Sequence, residues 1–310
     1  MATVLVTGGA GFIGSHLVDR MVERGDQVVV LDDLSTGDRA NVNEEAVFVN
    51  RSINDPSVKK VLAEWKPEIV FHLAAQISVP RSVRSPALDA TINILGSLNV
   101  LRAAQASECG QLIFASSGGA VYGEPEGLPV AEDHPIRPLS PYGVSKAAFE
   151  MYASALGKTH GMRCSVLRLA NVYGPRQSPL GEAGVVSIFA NRMLEGRPVT
   201  IFGDGTDERD YVYVGDVVDA MVRASEAESS VICNIGTGIG TPVLSLFEWL
   251  AAITRAESEP EFAAPRPGDI SRSRLDSSKA QAVLGWRPRV SLDEGIARTV
   301  EYLRAAGRRS

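Results

Sequence analysis

Two side chains in this sequence have the spacing of a catalytic pair. Tyr142 and Lys146 stand four residues apart just after Pro141, so in a helix they share one face. A free tyrosine, with a pKa of about 10, is a poor base at neutral pH. A lysine ammonium one turn away favours the phenolate and turns the hydroxyl into a general base for a substrate alcohol. An isolated Tyr-x-x-x-Lys is usually an accident of a helix surface. Its meaning depends on what the rest of the chain builds around it.

The N-terminus supplies that context. Thr7-Gly8-Gly9-Ala10-Gly11-Phe12-Ile13-Gly14 follows an apolar run, Val4-Leu5-Val6, and opens a helical pattern through Leu17, Val18, Met21 and Val22. A strand that turns on glycines into a helix presents bare N–H groups and the positive end of the helix dipole to a phosphate. The glycines fit two registers, Gly9-x-Gly11-x-x-Gly14 and Gly8-x-x-Gly11-x-x-Gly14, and both leave the backbone open to a pyrophosphate. Glycine-rich turns are common, but here strand, turn and helix come in the required order. Asp32 closes the next apolar strand. Its carboxylate suits a ribose 2′-hydroxyl and would repel a 2′-phosphate, so the expected dinucleotide is NAD. A nicotinamide cation near Tyr142 would favour the phenolate further.

The bulk properties are those of an ordinary soluble globular protein. The chain has 310 residues, 45% hydrophobic and 22% charged, enough for one large or two moderate domains. A net charge of −6 argues against nucleic acid as a partner, so anionic ligands must rely on a few placed cations. No run is apolar enough to span a bilayer, and no signal peptide is expected before a strand that starts almost at Met1. Cys109, Cys164 and Cys233 are widely spaced in apolar surroundings, as in a reducing compartment; no metal site is expected, and the expected location is the cytoplasm.

The pattern predicts a doubly wound α/β fold of Rossmann type. Strands are expected at Val4–Val6, Val28–Leu31, Ala46–Val49, Glu68–Leu73, Gln111–Ala115 and Arg163–Leu169, with helices between, including Ser140–Thr159. The stretches leaving the strand ends, Thr7–Gly14, Asp32–Gly37, Leu73–Ile77, Ser116–Tyr122 and Ala170–Arg176, should then face one crevice. Residues 1–175 are assigned to this dinucleotide-binding domain. Residues 176–310 are assigned to a smaller mixed α/β lobe, with some exchange of segments. There, helices are expected at Gly184–Glu195, Val217–Ala224, Leu244–Ile253, Ser277–Leu284 and Leu292–Ala305. Short strands are expected at Val199–Phe202 and Asp210–Val214, and no periodicity is seen over Pro260–Ser273.

Several motifs together carry a family resemblance: the glycine turn, Ser116-Ser117 before Val121-Tyr122-Gly123, Ser140-Pro141-Tyr142-Gly143-x-Ser145-Lys146, and Asn171-Val172-Tyr173-Gly174-Pro175-Arg176. Further along come Gly203-Asp204-Gly205, Arg209-Asp210-Tyr211, Arg266-Pro267-Gly268-Asp269 and Leu284-Gly285-Trp286-Arg287-Pro288. The chain resembles the extended short-chain dehydrogenase/reductases, and among them the nucleotide-sugar 4-epimerases. The resemblance implies a resident NAD, Tyr142 as base, Lys146 as its partner, and a transient 4-keto sugar. It implies a cofactor site at Gly8, Gly11, Phe12, Ile13, Gly14, Asp32, Asp33, Leu34, Ser35, Thr36, Gly37, Ile53, Leu73, Ala74, Ala75, Gln76, Asn93 and Ala170, with Tyr142 and Lys146. It also implies a UDP-sugar site at Ser117, Asn171, Val186, Thr200, Ile201, Phe202, Arg209, Arg266 and Asp269, and a homodimer.

Three positions depart from the family pattern. The hydroxyl that usually meets the sugar O4 falls at Gly118, leaving Ser117 or a water to replace it. An acid that usually holds adenine falls at Ser52. The residue that gates bulk at the sugar 2-position falls near Ser273, small enough to admit N-acetylated sugars. Alternatives are a nucleotide-sugar 4,6-dehydratase, whose Asp-Glu pair would fall at Gly119 and Ala120, and a uronic-acid 4-epimerase, whose Thr and Arg would fall at Asn171 and Ser178. A non-catalytic dinucleotide sensor is the reading from another class.

Overall fold

The computed structural model describes residues 1–179, 184–257, 259–265 and 270–307. Six strands, β1 (Thr3–Thr7), β2 (Gln27–Asp32), β3 (Val47–Asn50), β4 (Ile69–His72), β5 (Gln111–Ser117) and β6 (Arg163–Leu169), alternate with helices. Shorter strands follow: β7 (Asn171–Tyr173), β8 (Thr200–Phe202), β9 (Glu208–Tyr213), β10 (Ile232–Ile235), β11 (Gly240–Pro242), β12 (Glu261–Ala263) and β13 (Arg272–Ser273). The main sheet runs β10-β6-β5-β4-β1-β2-β3, and all its described pairings are parallel.

Helices cover both faces, which is why the strands are apolar without alternation. In β1, Val4 and Val6 face the helices Phe12–Glu23 and Val214–Glu226, packing with Leu17, Met21 and Met221. Leu5 faces the other way, toward Leu62, Leu101 and Phe149. The 20-residue helix Pro141–His160 lies on that second face and is capped by Ser140, whose hydroxyl accepts from Gly143 N at 3.2 Å. A smaller assembly of β7, β9, β11 and β13, with β8 and β12 beside it, encloses its own core of Phe189, Leu246, Phe247, Leu250, Ile296 and Val300.

Several elements differ from the sequence expectation. β10, absent from that reading, is four residues long yet fully integrated in the main sheet. With the Val214–Glu226 helix it brings chain beyond residue 175 into the larger unit. The helix expected at Val217 begins at Val214, so the preceding strand ends at Tyr213. The aperiodic stretch 260–273 contains β12 and β13, strands too short to show a period.

A buried network aligns the strands near their carboxyl ends. Arg168 on β6 forks onto Glu150 at 2.8 Å, both side chains about 5% exposed or less, and Ser116 on β5 donates to the same carboxylate. Arg168 also donates to the Tyr122 hydroxyl at 2.8 Å, which donates to Asn234 on β10 at 2.8 Å. Removing one ion would leave the other buried without a partner, so Glu150→Ala should cost about 3–5 kcal/mol of stability. Urea denaturation measures this; a loss below about 1 kcal/mol would show that the pair is not holding the sheet.

Candidate active site

Because the sheet is parallel, every stretch that leaves a strand end opens on the same edge. At the end of β1, Gly8 adopts φ +72°, and a Cβ there would lie 2.7 Å from Ala74 N in the loop after β4. A Cβ at Gly14 would lie 2.1 Å from the Gly8 carbonyl oxygen, so only glycine lets the helix approach the turn this closely. Gly11 caps the Phe12–Glu23 helix without any side-chain hydrogen bond, and no acid occupies its first turn. The first N–H groups there are available to an anion. Asp32, at the end of β2, accepts from Ala10 N at 3.0 Å and Leu34 N at 2.8 Å. Burial pushes its carboxyl up, while these two N–H groups oppose the shift. The loop Asp33-Leu34-Ser35-Thr36-Gly37 is drawn against the turn, with Asp38 N donating to Ala10 O at 3.0 Å.

After β4 the loop Leu73-Ala74-Ala75-Gln76 crosses the same edge. Leu73 N and Ala74 N both donate to the Thr7 hydroxyl at 3.2 Å. Asn93, on a π-helical segment Thr91–Gly96, accepts from Gln76 N and donates to Gln76 O, both at 2.8 Å. Ile53 is buried under Gly96. Ser52, in the place of the expected acid, turns its hydroxyl toward its own turn and accepts from Asn54 N at 3.4 Å.

The chemistry-bearing residues meet beyond β5 and β6, around a cavity of about 200 Å³. Tyr142 and Ser117 line it together with Ala170, Asn171 and Arg209. Lys146 is buried behind them. Its ammonium donates to Ala115 O at 2.9 Å, lies 4.7 Å from the centre of the Phe114 ring and 5.8 Å from that of Tyr142. Burial pushes the Tyr142 phenol up to about 12, and the hydrogen bond donated by Ser117 lowers it only in part. Burial likewise lowers Lys146 to about 8, against the pull of Asp89 and Glu150. The lysine lies 5.8 Å from the centre of the Tyr142 ring with one of its three N–H groups on a carbonyl, and the burial of the phenol opposes the effect of its charge.

Gly118 has a structural cause. A Cβ there would lie 2.5 Å from Leu275 Cδ1, so a side chain at this position would have to displace the leucine, and Ser117 is the hydroxyl beside Tyr142. Gly119 and Ala120 line the cavity where a dehydratase would carry its acid and base. Arg209 reaches the cavity wall with its guanidinium held by Glu208 O at 3.0 Å, Ser271 O at 3.3 Å and Asp207 at 3.7 Å. Val186 and Ile201 do not join the cavity: their side chains fill the smaller core, so only their backbone could meet a ligand. Thr200 is half-buried and Phe202 exposed on β8. Arg266 and Asp269 lie outside the described residues. Sequence reasoning missed Leu139, Ile270 and Val79 in the cavity wall, and missed Asp89, whose only signal was an acid before Asn93.

A model of the NAD dependent epimerase/dehydratase family matches residues 4–236. The chain belongs to this family. It is 50% identical over 306 residues to a UDP-glucose 4-epimerase of Mycolicibacterium smegmatis, covering 97% of this chain and 98% of that one. A UDP-glucose 4-epimerase of Thermotoga maritima, solved with UDP-glucose, superposes with TM-score 0.97 at 50% identity, covering 98% of this chain and 99% of the other. A Thermus thermophilus UDP-glucose 4-epimerase in complex with NAD superposes with TM-score 0.94 at 48% identity over the same shares. NAD is the cofactor of this family. The residues present fit it: the Gly8–Gly14 contact leaves no room for a Cβ, the first helix turn is uncapped, and Asp32 offers its carboxylate beside both.

Gly118→Ala should overpack the Leu275 contact and cost about 1–3 kcal/mol. Leu275→Ala in the same chain should recover part of that loss. Thermal melts of the single and double variants check it; full additivity of two losses would separate the two positions.

Proposed function

We propose that this chain catalyses the NAD-dependent 4-epimerisation of a UDP-hexose, with UDP-glucose and UDP-galactose as the reacting pair and the N-acetylated forms as further candidates. The observation that carries the reading is the meeting of Tyr142 and Ser117 at one cavity wall, with Lys146 behind and Arg209 at the side. The named activity of relatives at about half identity over nearly the whole chain supports it.

NAD, when bound, supplies a reversible hydride acceptor and a positive ring that favours a nearby phenolate. Tyr142 takes the proton of the sugar 4-hydroxyl and later returns it, so the same residue serves as base and acid. Ser117 holds the phenol oxygen and shares the sugar O4. Lys146 contributes its charge to the phenolate and its remaining N–H groups to the nicotinamide ribose. Gly8, Gly11, Phe12, Ile13 and Gly14 would cradle the pyrophosphate of the cofactor, Asp32 its adenosine ribose, and Leu73–Gln76 and Asn93 its far side. Arg209 and the backbone of Thr200–Phe202 would hold the UDP moiety, with Asn171 near the sugar. A 4-keto sugar presented with either face to the cofactor yields either epimer. Elimination is disfavoured because Gly119 and Ala120 carry no proton donor.

A second copy of the chain completes this reading. Val144, Met151 and Tyr152 form one exposed face of the Pro141–His160 helix, and Leu88 and Leu95 extend from the neighbouring helical segment; Met151 is 63% and Leu95 60% exposed. We place a homodimer interface there, and the enzyme in the cytoplasm, where its three buried free thiols stay reduced.

Purified protein given UDP-galactose without added NAD should form UDP-glucose, and Tyr142→Phe should lower kcat by about 10²–10⁴-fold while keeping its NAD. A 4-keto-6-deoxy product would establish the dehydratase instead, and no product at all the sensor. Met151→Glu with Tyr152→Glu should convert a dimer to a monomer in sedimentation; a native chain that already sediments as a monomer would remove the interface.

A further inference from the structure

Helix Pro86–Ala90 buries a carboxylate beside the catalytic pair. Asp89 is 1% exposed. Its Oδ1 accepts from Gln76 Nε2 at 2.8 Å and Asn93 Nδ2 at 3.0 Å, and its Oδ2 accepts from Ser145 Oγ at 2.6 Å. All three donors are neutral. They also come from three separate places: the loop after β4, the π-helical segment, and the Pro141–His160 helix one residue before Lys146. Burying a charge on neutral donors alone is costly, so its retention calls for a counter-charge within reach.

The groups around Lys146 show which charge that is. From its own helix Lys146 faces Tyr142 and Glu150. From β4 it faces His72, and from β5 the Phe114 ring and Ala115 O. Glu150 is occupied by Arg168 and Ser116. His72 is fixed between Thr7 at 2.7 Å and Ser97 at 2.8 Å and stays neutral, its pKa lowered to about 3 by burial. Among the described residues that leaves Asp89, held through Ser145 one residue before the lysine, as the carboxylate whose charge favours the ammonium.

We propose that Asp89 is the positioning residue of the active site. One buried carboxylate docks the cofactor-side loop and the Asn93 segment onto the Tyr142 helix, and it supplies the charge that keeps Lys146 an ammonium. The two roles belong together. The loop that is to hold the cofactor is tied to the group that must stay charged, so the pair acquires its charge only where the loop is in place. The same negative charge raises the Tyr142 phenol, holding the proton on the tyrosine until a positive ring offsets it. This rests on the reading of Tyr142 and Lys146 as catalytic.

Asp89→Asn separates charge from geometry. The amide oxygen still accepts from Gln76 and Asn93, and the amide nitrogen donates to Ser145, which can accept. Lys146 is followed by ¹³C-lysine NMR, its signal assigned with Lys146→Met, alongside bound NAD per chain and the pH profile of kcat. In the native protein Lys146 should lose its proton at about 8. In Asp89→Asn that titration should fall by about one pH unit or more, the alkaline limb of kcat should move with it, and NAD content should stay unchanged. Asp89→Ala should lose NAD as well. An unshifted Lys146 in Asp89→Asn overturns the proposal. If the variants do not fold, the native titration of Lys146 decides: a lysine charged at pH 7 upholds the proposal, and one already neutral at pH 7 overturns it. A shifted lysine in a protein that does not epimerise UDP-sugars would keep Asp89 and discard the reaction.

Discussion

Burial works against both charges that the proposed mechanism needs. On that reading Tyr142 becomes an anion and Lys146 remains a cation, yet the same enclosure drives the phenol up to about 12 and the ammonium down to about 8. Exposure would remove that penalty, but it would also admit water to a reaction whose reduced and oxidised halves must stay matched to one sugar. The surrounding structure is a set of local answers. Ser117 donates to the phenol, Ala115 O and the Phe114 face receive the ammonium, and Asp89 and Glu150 provide negative charge in the same interior. Glu150 is largely offset by Arg168 on β6, which leaves Asp89 the greater part.

The placement of these groups follows from sheet topology rather than from chain order. Ala115 and Ser117 end β5, Asn171 and Ala170 follow β6, and the glycine turn follows β1, so residues remote in sequence share one edge. The Pro141–His160 helix lies across that edge with its capped start nearest the cavity. Tyr142 therefore sits in the first turn, where the helix dipole adds a small further preference for an anion.

What the sequence disclosed follows the reach of each signal. The glycine turn, Asp32 and the Tyr142–Lys146 pair were legible because each depends on local geometry: a turn, a strand end, a helical repeat. Long apolar strands were legible for the same reason. β10, β12 and β13 were not: Ile232-Cys233-Asn234-Ile235 is interrupted by a polar residue, and the other two strands, three and two residues long, are made by their neighbours. What burial does to Tyr142 and Lys146 was not legible, because helical spacing gives proximity and says nothing of solvent. Asp89 escaped altogether: its meaning lies in three donors from three segments, and no spacing rule connects them.

Gly118 shows how one such long-range contact can rewrite a motif. Asp210, in the middle of β9, accepts from Thr237 N at 2.8 Å, Gly238 N at 3.0 Å and Leu275 N at 3.1 Å. That grip brings Leu275 up against the turn after β5, where it fills the space that a side chain at residue 118 would need. With glycine at 118, the hydroxyl beside Tyr142 is that of Ser117, still on the strand. So an acid in the smaller lobe, next to the arginine that faces the cavity, holds in place the leucine that packs over Gly118 in the larger one.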